Sequence, residues 1–118
     1  FGRRVESSWE VGSPVVYWEK GRKIDIQGEV LKADSPRLLS YTFQVPSDKN
    51  RRERPTFVTF EITAMNSMVK LRLTHEDLIP EDLDNDSNTY RGLNNGWPAI
   101  LSNLKSVLET DRPLPLII

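Results

Sequence analysis

The chain has 118 residues, room for one compact domain without a second core. Its 16 basic and 17 acidic residues give a net charge of -1, so no global positive field draws it to nucleic acid or anionic lipid. The lack of cysteine excludes disulfides, thiolate catalysis and sulfur-ligated zinc, and a single histidine, His75, excludes a His-rich metal site in one chain.

No stretch approaches the roughly 20 apolar residues of a membrane span, so the expectation is a soluble, cytoplasmic domain with no membrane partner. Apolar residues make up 37% of the chain, but they alternate with polar ones over long stretches, which argues for folding rather than disorder. Residues 4–11 set Val5, Trp9 and Val11 against Arg4, Glu6, Ser8 and Glu10, the period-two pattern of a half-buried strand. Gly12-Ser13-Pro14 breaks it, residues 15–19 are β-branched and aromatic, and Lys20-Gly21-Arg22 reads as a short turn. Ile24, Ile26, Gly28 and Val30 then alternate with polar residues. The glycine in this row marks a bulge or a place where something approaches the backbone closely. Ala33-Asp34-Ser35-Pro36 turns the chain into a fourth strand carrying Leu39, Tyr41, Phe43 and Val45.

After the polar residues 46–54, two more strands follow, one with Val58, Phe60 and Ile62 and one with Val69, Leu71, Leu73 and His75. Asn66-Ser67 is the tight connection between them. From Trp97 the period becomes 3.6: Trp97, Ile100, Leu101, Leu104, Val107 and Leu108 form one helical stripe that ends at Asp111-Arg112-Pro113. Asn94 or Asn95 is placed to cap this helix, or the helix starts nearer Asn88 and contains Pro98. Burial of the six stripe side chains would contribute about 10 kcal/mol gross. Six antiparallel strands and one long C-terminal helix make an α+β pattern.

The phrases Trp9 with Val11-Gly12-Ser13-Pro14, Gly28-Glu29-Val30-Leu31, Leu39-Ser40-Tyr41-Thr42-Phe43, Val58-Thr59-Phe60-Glu61, Leu71-Arg72-Leu73-Thr74-His75-Glu76 and Gly96–Leu104 occur in an order and spacing that resembles the family homologous to the C-terminal domain of the activator of Hsp90 ATPase. The resemblance covers residues 1–110. It implies the START-related helix-grip fold, in which a curved antiparallel sheet of about six strands grips a C-terminal helix around an apolar cavity. The chain then reads as a single helix-grip domain, 1–118, that starts at Phe1 without the family's usual N-terminal strand and short helices. The family name further implies Hsp90 as a possible partner and a role in the stress response.

The side chains expected to converge between sheet and helix are Tyr41, Phe43, Phe60, Ile62, Leu71, Leu73 and His75 from the strands and Trp97, Ile100, Leu101 and Leu104 from the helix. Trp9 and Tyr17 stand at the rim. Apolar walls with a few polar tips suit a small hydrophobic or amphipathic ligand, and a filled core without a cavity is the plainer alternative. Strand parity turns His75 inward, where it either meets a ligand, acts as a base, or is satisfied by a backbone carbonyl or by Tyr41. Catalysis would need an orienting acid. Glu29 and Glu61 have the wrong parity, which leaves only Glu76, and no nucleophile elbow, phosphate loop or carboxylate pair is present. Asp82-x-Asp84-x-Asp86 departs from a calcium loop at Ser87 and Leu93, so no metal or cofactor is expected.

The leading expectation is a non-enzymatic ligand-binding domain. The alternatives are an Hsp90-associated co-chaperone-like interaction module and a cyclase-type enzyme using the same cavity. The apolar tail Leu114, Leu116, Ile117 and Ile118 adds the expectation of packing against the domain itself or in a homodimer.

Overall fold

The computed structural model describes residues 4–18, 23–46, 55–85 and 92–112. Six strands come first: β1 (Arg4–Glu6), β2 (Pro14–Trp18), β3 (Ile24–Asp34), β4 (Leu38–Phe43), β5 (Thr56–Met65) and β6 (Met68–Glu76). A single 3-10 turn (Pro80–Asp82) and one long helix, α1 (Leu93–Thr110), follow. The strands form one antiparallel meander, each paired with its neighbours in sequence. The fold class is α+β, with a curled six-stranded sheet and a C-terminal helix. By contacts, Gly2–Leu78 forms one unit, holding the sheet, and Ile79–Ile118 forms another, holding α1. The expected Lys20-Gly21-Arg22 turn, Asp86, Ser87, Asn88 and the apolar tail lie outside the described residues.

The first strand is shorter than its alternation predicts. It stops at Glu6 because Ser7 Oγ accepts the Trp9 N–H at 3.0 Å and Trp9 takes a left-handed φ of 59°. A second turn closes at once, with the Ser13 N–H donating to the Glu10 carbonyl at 2.9 Å and Ser13 Oγ donating to the same oxygen at 2.6 Å. Serine side chains that bond local backbone compete with a strand ladder, and here they win. The turn is anchored to β3 by Gly12 N–H to the Val30 carbonyl and Val30 N–H to the Ser13 carbonyl.

β3 serves two partners and is distorted between them. Its first half pairs with β2, from Pro14↔Glu29 to Trp18↔Ile24, and its second half pairs with β4, from Val30↔Tyr41 to Asp34↔Leu38. One isolated bridge, Gln27↔Gln44, continues the β4 pairing in the other direction. Between bridge and ladder lies Gly28, where an added Cβ would stand 1.7 Å from the Thr42 carbonyl oxygen and 2.6 Å from its carbonyl carbon. The neighbouring Glu29 N–H is taken by Thr42 Oγ1 at 2.7 Å. The close approach expected of this glycine is therefore that of the next strand's backbone. A register shift between Val30 and Lys32 adds further bend.

β5 and β6 pair without interruption from Phe57↔Glu76 to Met65↔Met68, and Asn66 takes the positive φ of 53° that closes the two-residue connection. The deepest side chains of the sheet are Val15, Val30 and Val58, at 0–1% exposure, with Tyr41 and Phe43 buried beside them.

Within its own unit, α1 starts four residues before Trp97 and includes Pro98. Its N-cap is Gly92, at φ 80°, where a Cβ would also collide with the Asp84 nitrogen at 2.4 Å. Neither Asn94 nor Asn95 caps the helix. Asn94 instead accepts the Asp84 N–H at 3.0 Å and donates to the Asp84 carbonyl at 2.9 Å, which ties the preceding loop to the first turn. At the other end Asp111 adopts the left-handed conformation and donates its N–H to Val107, as the expected stop requires. No helix side chain is fully buried: Ile100 and Leu104 are each 39% exposed and Leu108 74%. The 10 kcal/mol expected of six buried stripe residues is thus an overestimate.

Gly28→Ala tests the crossing of β3 and β4. In an unconstrained strand this change would stabilise by about 0.5–1 kcal/mol, but a methyl group inside the Thr42 carbonyl should destabilise by about 1–3 kcal/mol through backbone displacement. Denaturant unfolding measures the sign, and an unchanged or raised midpoint would refute the close approach.

Candidate functional site

Directly paired residues of an antiparallel ladder share a face. The register therefore aligns Val30, Tyr41, Val58 and His75 in one row across β3 to β6, and Leu39, Phe60 and Leu73 in the next. Phe43 lies beside Thr56, and Ile62 beside Leu71, on the same face. Every strand residue expected to point inward does share that face, and Tyr17 on β2 joins them through its contact with Tyr41. Trp9 reaches the cluster from the turn after β1 and not from a strand, with its ring 6.1 Å from that of Tyr41. Ile62 and Leu71, at 41% and 37% exposure, occupy the far end of the hairpin, beyond the rings. Trp97, Ile100, Leu101 and Leu104 share one side of α1 in the other unit, Trp97 and Leu101 being half-buried.

The rings form a connected chain. Tyr41 stacks on Phe60 at 6.1 Å and 26°, Tyr17 meets Tyr41 at 6.4 Å, and Phe43 meets Tyr17 edge-on at 6.0 Å. His75 closes the chain edge-on against Phe43 at 4.9 Å. Offset and edge-on pairs of this kind each contribute about 0.5–1.5 kcal/mol beyond the area they bury. Beneath the rings, Val15, Val30 and Val58 form a floor that sequence reasoning left out of the site. The alternation did signal Val30 and Val58, which continue the same rows.

Two polar arrangements are set into this apolar face. In the first, the Tyr17 and Tyr41 hydroxyls hydrogen-bond to each other. Burial pushes the pKa of Tyr17 up, partly offset by the hydrogen bond with Tyr41, and burial together with the Tyr17 charge and the same bond pushes Tyr41 up much further. In the second, Thr56 Oγ1 lies 2.6 Å from the Phe43 carbonyl and 2.9 Å from His75 Nε2. The single Thr56 hydroxyl proton goes to the carbonyl, which has none to give, so Nε2 must carry a proton and donate to Thr56. His75 Nε2 is engaged by a threonine side chain, a partner that parity did not suggest. Thr56 was legible only as one polar residue on the apolar row of β5.

The acidic residues after β6 have structural partners. Asp82 Oδ2 accepts the Ile79 N–H at 3.0 Å, and Asp84 is held through its backbone by Asn94. Among the described residues no group of three or more His, Cys, Asp or Glu could hold a metal ion, and no helix is long and apolar enough to cross a membrane.

The tyrosine pair predicts an alkaline signature. Both hydroxyls are harder to ionise in the folded than in the unfolded chain, so their contribution to stability is complete below about pH 10 and is lost as pH rises above it. Ultraviolet titration of the native protein should show at most one of its three tyrosines ionising near pH 10, with the others released on unfolding. Ionisation of all three near pH 10 in the folded state would refute the buried pair.

A comparison with curated proteins finds no match. Among solved structures, the chain is similar to a Cytophaga hutchinsonii protein whose solution structure was determined as a structural-genomics target. The TM-score is 0.66 and the identity 25%, over 94% of this chain and 75% of that one. The likeness agrees with the helix-grip arrangement expected from the order of elements. The family model described as Activator of Hsp90 ATPase homolog 1-like protein matches residues 1–109. With that match over nearly its whole length, the chain belongs to the Activator of Hsp90 ATPase homolog 1-like family.

Proposed function

We propose that the chain is a non-enzymatic binding domain that takes a small hydrophobic or amphipathic molecule on the aromatic face of its sheet. The observation that carries this reading is the connected chain of Trp9, Phe60, Tyr41, Tyr17, Phe43 and His75, with one hydroxyl pair set among the rings. Apolar surface supplies affinity through burial, and a few fixed polar atoms supply orientation. The engagement of His75 Nε2 with Thr56 supports a binder over a cyclase-type enzyme, because it commits that nitrogen to a structural hydrogen bond between strands.

A second reading, an Hsp90-associated interaction module, is favoured by the description of the family. The two readings differ in what the protein retains. A bound small molecule appears as added mass in native mass spectrometry of freshly purified protein, whereas an interaction module retains none and binds purified Hsp90 in solution.

Phe60→Ala sharpens the test. Phe60 is half-buried, so its truncation should cost less than the 3–5 kcal/mol typical of a fully packed phenylalanine while sharply reducing the retained mass. A full packing penalty at Phe60, with no small molecule detected on the parent protein, would overturn the ligand-binding reading.

A further inference from the structure

The Tyr17–Tyr41 pair has more protons than it has partners. Two hydroxyls bring two O–H donors, one is spent between them, and among the described residues neither oxygen has a hydrogen-bond partner besides the other. Tyr41 is 2% exposed and Tyr17 half-buried, so a remaining proton pointed at nothing would carry the cost of an unmade hydrogen bond. Among the described residues the pair therefore presents one donor with no acceptor of its own.

The direction of that donor follows from the surroundings. Tyr41 is the deeper of the two and Tyr17 only half-buried, so the hydroxyl placed to donate beyond the pair is that of Tyr17. A hydroxyl that accepts one hydrogen bond becomes a stronger donor in the next, more so where water is scarce. Burial keeps both groups neutral across the physiological range, so the pair acts as a donor and not as a phenolate. The adjoining surface is aromatic: Trp9 is 40% exposed beside Tyr41, and Phe60 stacks on Tyr41.

Building on the proposed binding site, we infer that its ligand is a flat aromatic molecule bearing a carbonyl-type oxygen acceptor, which takes the outward hydroxyl proton of the Tyr17–Tyr41 pair while its ring body lies against Trp9 and Phe60. In the free protein a water molecule occupies the acceptor position, and the ligand oxygen replaces it. A ligand of the same shape without that oxygen would leave the donor unpaired, so the pair selects for the acceptor as well as anchoring it.

The test uses two probes of nearly equal shape, 2-acetylnaphthalene and 2-ethylnaphthalene, titrated into the full chain by fluorescence or calorimetry. The parent protein should prefer the acetyl compound by about three- to tenfold, the effect of one hydrogen bond in a partly buried site. In Tyr17→Phe/Tyr41→Phe the ratio of the two affinities should fall to about one. As a readout that needs no double substitution, the infrared carbonyl stretch of bound 2-acetylnaphthalene should lie below its value in hexane and move back toward it in Tyr17→Phe. Equal affinity of the parent for both probes, or a preference that survives in the double variant, would overturn the inference while leaving the binding function standing. Failure of both probes to bind would overturn it as well, and the retained-mass measurement then decides the binding function separately.

Discussion

The Thr42 carbonyl occupies the space where any side chain at position 28 would begin, and the shape of the sheet depends on that approach. In a flat sheet, β2 and β4 would be separated by two strand spacings, about 9–10 Å. The Tyr17 and Tyr41 hydroxyls nevertheless touch across β3. Gly28 makes this possible twice over. It lets β3 approach the Thr42 backbone of β4 closely, and it leaves no side chain on this face of β3 between Ile26, which pairs with Tyr17, and Val30, which pairs with Tyr41. The break in the β3–β4 ladder at this point carries no orphaned donor at Glu29, since Thr42 Oγ1 takes its N–H.

The second polar arrangement works by fixing proton positions. Thr56 is almost fully buried, and its hydroxyl accepts from His75 Nε2 and donates to the Phe43 carbonyl, which makes a directional chain. That chain spans β4, β5 and β6 and holds the imidazole edge-on to Phe43. The aromatic face thus has its polar groups at two separate places. One joins Thr56 to Phe43 and His75, and the other is the hydroxyl pair of the tyrosines.

Much of this face was legible in the sequence because strand parity is a local property. Tyr41 and Phe43, Phe60 and Ile62, and Leu71, Leu73 and His75 fall on one side by alternation alone, and pairing with neighbouring strands preserves it. The tyrosine pair was not legible, because Tyr17 and Tyr41 lie on strands that are not neighbours and meet only through curvature. The first strand was misread as running on past Glu6, because the alternation of Val5, Trp9 and Val11 with polar residues does not show that the Ser7 side chain takes the Trp9 N–H and closes a turn. Of the two helix starts left open, capping at Asn94 or Asn95 does not form, since Asn94 bonds Asp84 and leaves capping to a glycine with positive φ, whereas Pro98 does lie inside the helix as the earlier start required. In each case the deciding bond joins residues whose proximity the alternation pattern does not encode.

The order of the strands has a kinetic consequence. Every strand pairs with the next one along the chain, so no ladder in the sheet requires a distant segment to be found first. The entropy of closing each loop is correspondingly small, and a topology built from such local closures belongs among the faster-folding β proteins. The β5–β6 hairpin, with its two-residue connection and long unbroken register, is the natural seed, onto which β4 and then the bent β3 can add. On this view the paired tyrosines come together late, only when β2 has been laid down on β3. The sheet can then assemble most of its register before its aromatic face is complete, which leaves the joining of the rings as a late step along a single chain.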